Sequence, residues 1–177
     1  NGDTYPVFEA DYIQTLLSDS SAIKFLKLEY ADLTPELIGI LNESTDIVVL
    51  LSTSHPNGVG EQRAFFHTLL NEGCTVPVVL CRSYAETDLQ HLQIKAATDL
   101  GVLFIDGFGD GIFLENKGNI GVEAVCSVAF GILQGSRVRI TKTEYVSCPS
   151  CGRTMFNLQT VIARIKARTS HLKGLKI

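Results

Sequence analysis

The chain has 177 residues, 45% hydrophobic and 19% charged, with a formal net charge of −4; that is enough apolar surface for one ordinary domain and a small appendage, and it excludes a disordered or fibrous protein. The longest apolar runs, Ile47 to Leu51 and Val76 to Cys81, are strand-sized and far short of the ~20 residues a membrane span needs. Five cysteines without a secretory signal argue against a disulfide framework and for the reducing cytoplasm, while the opening Asn1-Gly2-Asp3 lacks an initiator Met and leaves an upstream targeting segment open.

Taken in order, the chain alternates strand and helix signals. Tyr5-Pro6-Val7-Phe8 reads as an extended start, followed by a helix-like segment with Tyr12, Ile13, Leu16 and Leu17 apolar. Phe25 to Leu28 reads as a strand. Thr34-Pro35-Glu36 opens a helix that runs to about Asn42, because Thr34 can cap free amides and proline suits the first helical position. Asp46 to Leu51 is a continuous apolar run, the pattern of a strand buried on both faces of a parallel sheet.

After a loop with Gly58 and Gly60, a helix is predicted with Phe65, Phe66, Leu69 and Leu70 inward, stopped by Gly73. Val76 to Leu80 is the next strand, with Pro77 near its start. A helix carrying Leu89, Leu92, Ala96 and Leu100 should end at Gly101, leaving Val102 to Ile105 as a strand. The turn Gly107-Phe108-Gly109-Asp110-Gly111 leads into Ile112 to Leu114, a helix from about Ile120 to Gln134 follows, and Val138 to Ile140 reads as a last strand.

The alternation predicts an α/β fold: a mostly parallel sheet with covering helices, an open sheet or a partial, degenerate TIM-like barrel. Five or six units cannot make a complete eight-unit barrel, which takes ~250 residues. Charge marks a boundary near Thr143. Residues 1–143 carry nine Lys/Arg against eighteen Asp/Glu, a net of −9, whereas 144–177 carry six against one, a net of +5. The basic residues are either a solvated helix face or a binding surface.

In such folds the loops at the carboxyl ends of strands carry chemistry, here Ser52 to His55, Arg82 to Tyr84 and Asp106 to Asp110. Ser54-His55-Pro56-Asn57-Gly58 is explained by turn formation alone, since no second catalytic partner is set by spacing. The glycine-rich 107–111 stretch leads into a strand, whereas phosphate-binding glycine motifs open a helix. Cys74, Cys81 and Cys126 read as small core residues.

The informative stretch is Glu144-Tyr145-Val146-Ser147-Cys148-Pro149-Ser150-Cys151-Gly152-Arg153, followed by Leu158, Val161, Ile162 and Ile165 at helical spacing. Strand, CxxC and helix follow in that order. Two cysteines three positions apart can put both sulfurs on one metal, and amides at a helix start favour the thiolate that ligates. By itself the pair leaves four readings open: half a zinc site, half an iron–sulfur site, a dithiol redox pair, or two cysteines with no chemistry.

The string EYVSCPSCGRT, with the NLQ helix start and the ending TSHLKGLKI, resembles 4-hydroxy-3-methylbut-2-enyl diphosphate synthase of the methylerythritol phosphate pathway, in its longer, three-domain form. The likeness covers residues 137–177, and more loosely 106–136 through DGFGDGIFLE and GILQG. It implies that Cys148 and Cys151 are two of three cysteines holding a [4Fe-4S] cluster, with the third cysteine and a glutamate ligand after Ile177 and the substrate-binding barrel before Asn1. It also implies an insert (spacer) domain at 1–143 and, at 144–177, the N-terminal part of a small α+β iron–sulfur domain.

The implied reaction is reduction of 2-C-methyl-D-erythritol 2,4-cyclodiphosphate with electrons from ferredoxin or flavodoxin. On this reading the 177 residues alone bind no cluster and are inactive, no nucleic-acid or membrane partner is expected, and a homodimer is left open. The alternatives are an α/β module with a structural zinc site, for which only His171 lies near the two thiols, and a CxxC thiol–disulfide oxidoreductase.

Overall fold

The structure, a computed structural model, describes residues 4–146 and 155–175. Its centre is a five-stranded parallel sheet of β1 (Val7–Glu9), β2 (Lys24–Leu28), β3 (Ile47–Leu51), β4 (Val78–Tyr84) and β5 (Gly111–Asn116), whose spatial order is the chain order. Between them run α1 (Ile13–Ser18), α2 (Pro35–Glu43), α3 (Gly58–Asn71), α4 (Leu89–Ala96), a π turn over Ala97–Gly101 and α5 (Val102–Ile105); α6 (Val122–Gly135) and α7 (Leu158–Thr169) follow β5.

That strand order decides which face is covered. Right-handed crossovers that always step the same way land every helix on one side of the sheet, the winding of a barrel rather than of a doubly wound sheet. Burial follows the two-residue period. Leu26, Leu28, Val49, Leu51, Val78 and Leu80 are buried under the helices, while Phe25, Val48, Leu50 and Val79 on the other face are half-buried and Phe113 is 55% exposed. The expectation that β3 is buried on both faces is therefore corrected: its uninterrupted apolar run meets helices on one side only.

Several local signals act as expected. Thr34 Oγ1 accepts the amide of Leu37 at 3.2 Å, which caps α2, and Pro35 is its first residue. Gly73, at φ +66°, ends α3, with the Cys74 amide donating to Leu69 O at 2.8 Å. Phe65, Phe66 and Leu69 point inward, but Leu70 is 62% exposed, because a position one residue after Leu69 is turned about 100° away around the helix.

Two predicted strands are not strands. Val102–Ile105 continues the preceding helix, since Leu92, Ala96, Leu100, Leu103 and Phe104 are all buried along one stripe and the backbone at Gly101 is right-handed helical. The helix stops at Gly107, φ +86°, where the Phe108 amide reaches back to Leu103 O at 2.9 Å. A helix-ending glycine does exist here, one turn and a half later than the first candidate. Val138 to Ile140 is not a strand either: the amides of Val138 and Arg139 both bond Leu133 O, at 3.0 and 3.2 Å, and so finish α6 instead of extending the sheet.

The buried apolar cluster runs from Leu16 to Leu133. No helix among the described residues is long and apolar enough to cross a membrane.

Candidate metal centre

Cys148 and Cys151, the thiols singled out in the sequence, lie outside the described residues, so their flanks define the site. Upstream, the Glu144 amide donates to Leu175 O at 2.8 Å, Thr143 Oγ1 bonds Leu172 O, and the Tyr145 hydroxyl lies 2.8 Å from Thr169 Oγ1. Downstream, Asn157 caps α7 by accepting the Thr160 amide at 3.1 Å. The sequence predicts a strand over residues 144–147, but the described part, 144–146, makes only a single bridge at Glu144; this segment is tied to the far end of the helix leaving the cysteines.

Helix α7 is amphipathic, yet it buries none of its residues: Val161 and Ile165 are exposed, and Met155 just before it is 97% exposed. Leu158 and Ile162 of its apolar stripe are only half-buried. Flanking the stripe, Arg164, Lys166 and Arg168 are exposed, with the Lys166 ammonium 5.3 Å from the Tyr145 ring centroid.

Several other sequence candidates take structural roles, whereas Arg82 keeps a buried Nε without a hydrogen-bond partner among the described residues. Ser54 Oγ donates to Glu29 at 3.0 Å, His55 Nδ1 accepts the Asn57 amide at 2.9 Å, and Asn57 caps α3. Tyr84 donates to Asp99 at 2.7 Å across the π turn, and burial together with that carboxylate pushes its hydroxyl far above the usual tyrosine range.

Asp106 to Asp110 is not a loop at a strand's carboxyl end. Because 102–105 is helical, the segment lies at the amino end of β5, where Asp110 both accepts the Val78 amide at 2.9 Å and donates its own amide to Val78 O at 2.7 Å. That turn clamps the start of β4.

Of the remaining cysteines, Cys74 is buried, and burial pushes the Cys81 thiol up to about 12, so it stays protonated and unreactive. Cys126 is exposed, which corrects its reading as a core residue: Val125 and Val128 on α6 face inward and leave it turned out. No group of three His, Cys, Asp or Glu able to hold a metal occurs among the described residues.

No family model matches the chain. Among individual proteins it is similar to the 4-hydroxy-3-methylbut-2-en-1-yl diphosphate synthase (flavodoxin) of Parabacteroides distasonis, 55% identical over 99% of this chain and 28% of the relative. The protein of the same name from Phocaeicola vulgatus is 49% identical over 99% of this chain and 28% of the relative. The chloroplastic, ferredoxin form from Oryza sativa is 41% identical over 80% of this chain and 20% of the relative. The chain thus spans about a quarter of the length of these relatives, and the similarity extends through residues 1–143, where no short motif signals it.

Proposed function

We propose that this chain, which belongs to the 4-hydroxy-3-methylbut-2-en-1-yl diphosphate synthase family, serves in a longer protein that reduces 2-C-methyl-D-erythritol 2,4-cyclodiphosphate to 4-hydroxy-3-methylbut-2-enyl diphosphate. The observation that carries this reading is CPSCGR at 148–153, inside a chain that keeps 47% to 55% identity to such synthases over nearly its whole length.

Cys148 and Cys151 are the residues of this chain that would hold a [4Fe-4S] cluster, with the remaining ligands supplied from elsewhere in the longer protein. The donor set fits, since thiolates are the protein ligands of such clusters. When bound, the cluster supplies electrons to the cyclic diphosphate. The chain's own contribution is positional. The bonds from Thr143, Glu144 and Tyr145 to Leu172, Leu175 and Thr169 hold the segment just before the thiols against the end of α7.

In the same reading, residues 1–143 form an α/β spacer domain and 144–177 the first part of an iron–sulfur domain. Two observations support that division. The buried cluster lies within 16–133, and α7 fully buries none of its apolar stripe, as expected of a helix whose domain continues elsewhere. The cytoplasm is the proposed compartment. The test is metal analysis of the longer protein purified without oxygen. Iron and sulfide in a brown protein are the expected result, whereas one zinc, or a reversible disulfide with no metal, would replace the reading by one of its alternatives.

The electron donor would be a ferredoxin or flavodoxin, and the exposed Arg164 and Arg168 suit an acidic one, because a positive surface raises the encounter rate. Changing both to Glu in the longer protein is expected to lower turnover with the protein donor, and the wild-type rate should fall with salt as charges are screened beyond ~8 Å. Turnover with a small chemical reductant should not change. Equal losses with both reductants would refute donor docking at this face.

A further inference from the structure

We infer, on the proposed reading that Cys148 and Cys151 hold a cluster, that Gln134 and Arg137 at the end of α6 are positioning residues: they fix the path by which the chain leaves the α/β part toward the thiols.

Residues 138–146 join α6 to the cysteine segment and form neither a helix nor a strand, only the single bridge at Glu144. Ladder hydrogen bonds therefore do not set their course, and side chains of α6 do so instead. The half-buried Gln134 carboxamide bonds in both directions: its Oε1 accepts the Lys142 amide at 3.0 Å and the Thr141 amide at 3.4 Å, and its Nε2 donates to Lys142 O at 3.2 Å. One side chain thus pairs with the backbone of this stretch as a neighbouring strand would.

Arg137 makes the turn that precedes it. It stands at φ +68°, the one non-glycine residue with positive φ among the described residues, and the Val138 amide returns across it to Leu133 O at 3.0 Å. Glycine adopts this conformation freely, whereas a residue with a Cβ is strained in it, so an arginine here points to a use for its side chain. That use is visible. The guanidinium pairs with Glu144, whose own amide donates to Leu175 O at 2.8 Å.

The Arg137 side chain is 53% exposed, and an ion pair so placed is weak by itself. Together with Gln134 it grips the chain at 137, at 141–142 and at 144, which leaves three residues before Cys148. Loosening that grip changes where the thiols are held and not whether they bind iron. Misplacement by about 1 Å can cost about 100-fold in rate.

The test is made in the longer protein with Gln134→Ala and Arg137→Gly combined. Alanine keeps the helix and glycine keeps the turn, so the variant loses the side-chain bonds and retains the backbone path to α6. Hydrogen exchange over 139–146 should become about tenfold faster, the scale of one hydrogen bond. Turnover number should fall about 10- to 100-fold, while iron content, visible spectrum and KM for the cyclic diphosphate stay as in the wild type. Arg137→Lys, which keeps a cation opposite Glu144, should retain more turnover than Arg137→Gly; a residue that served the turn alone would show the reverse order. Glu9→Gln, which removes another exposed ion pair, the one to Lys27 on the sheet, should change nothing.

An unchanged turnover number in the double variant, or iron lost in step with turnover, would overturn the positioning role. A wild-type protein without iron would instead refute the cluster reading, and exchange over 139–146 would still decide whether Gln134 and Arg137 hold the segment.

Discussion

Replacing Cys148 or Cys151 by serine in the longer protein is expected to remove iron and turnover together. A serine hydroxyl stays protonated near neutral pH and is a poor substitute for a thiolate, the form that binds iron. Loss of an outer-shell partner already costs about 10- to 100-fold in metal affinity or activity, so loss of a ligand should exceed that range. Cys126→Ser is the matched control, since that thiol is exposed on α6 and far along the chain from the CxxC pair. Iron content, the visible spectrum and turnover are measured on the same preparations. A serine variant that lost its iron yet kept its turnover would show that these thiols are not what the reaction depends on.

Phe65→Ala should be the most damaging single change in the α/β part. Phe65 is 0% exposed, packs edge-on against Phe66 with centroids 6.0 Å apart, and Phe66 in turn stacks on Phe108 at 4.9 Å. Truncation opens a cavity between α3 and the sheet and loosens the row that reaches the Gly107 turn. Such truncations cost about 3–5 kcal/mol. Against a typical total of about 5–15 kcal/mol, that is a large share of the stability. Leu70→Ala, on the exposed side of the same helix, should stay within about 0.5 kcal/mol. Urea midpoints of the two variants check the contrast, and equal shifts would mean that α3 presents a different face to the sheet.

The misreadings in the sequence share a cause. Val102-Leu103-Phe104-Ile105 and Val138-Arg139-Ile140 are short apolar runs, and a run of three or four residues is compatible with either period. What separates them from true strands is outside the run. For the first it is a buried stripe that begins at Leu92, and for the second it is the carbonyl of Leu133 that takes both amides. Thr34-Pro35 and Gly73 were legible because each satisfies groups only a few residues away.

The candidate centre was readable as chemistry, since a CxxC between a strand and an amphipathic helix states its ligands in one short stretch.

From the chain alone came the α/β class, the helix caps, the charge division near Thr143 and the two thiols, all of which depend on side chains close together in sequence. The tertiary structure alone decided that the strands lie in chain order and that the helices therefore cover one face and leave the other open. Those outcomes depend on which distant segments pack together, and a long-range contact leaves no period or spacing in the sequence from which to read it.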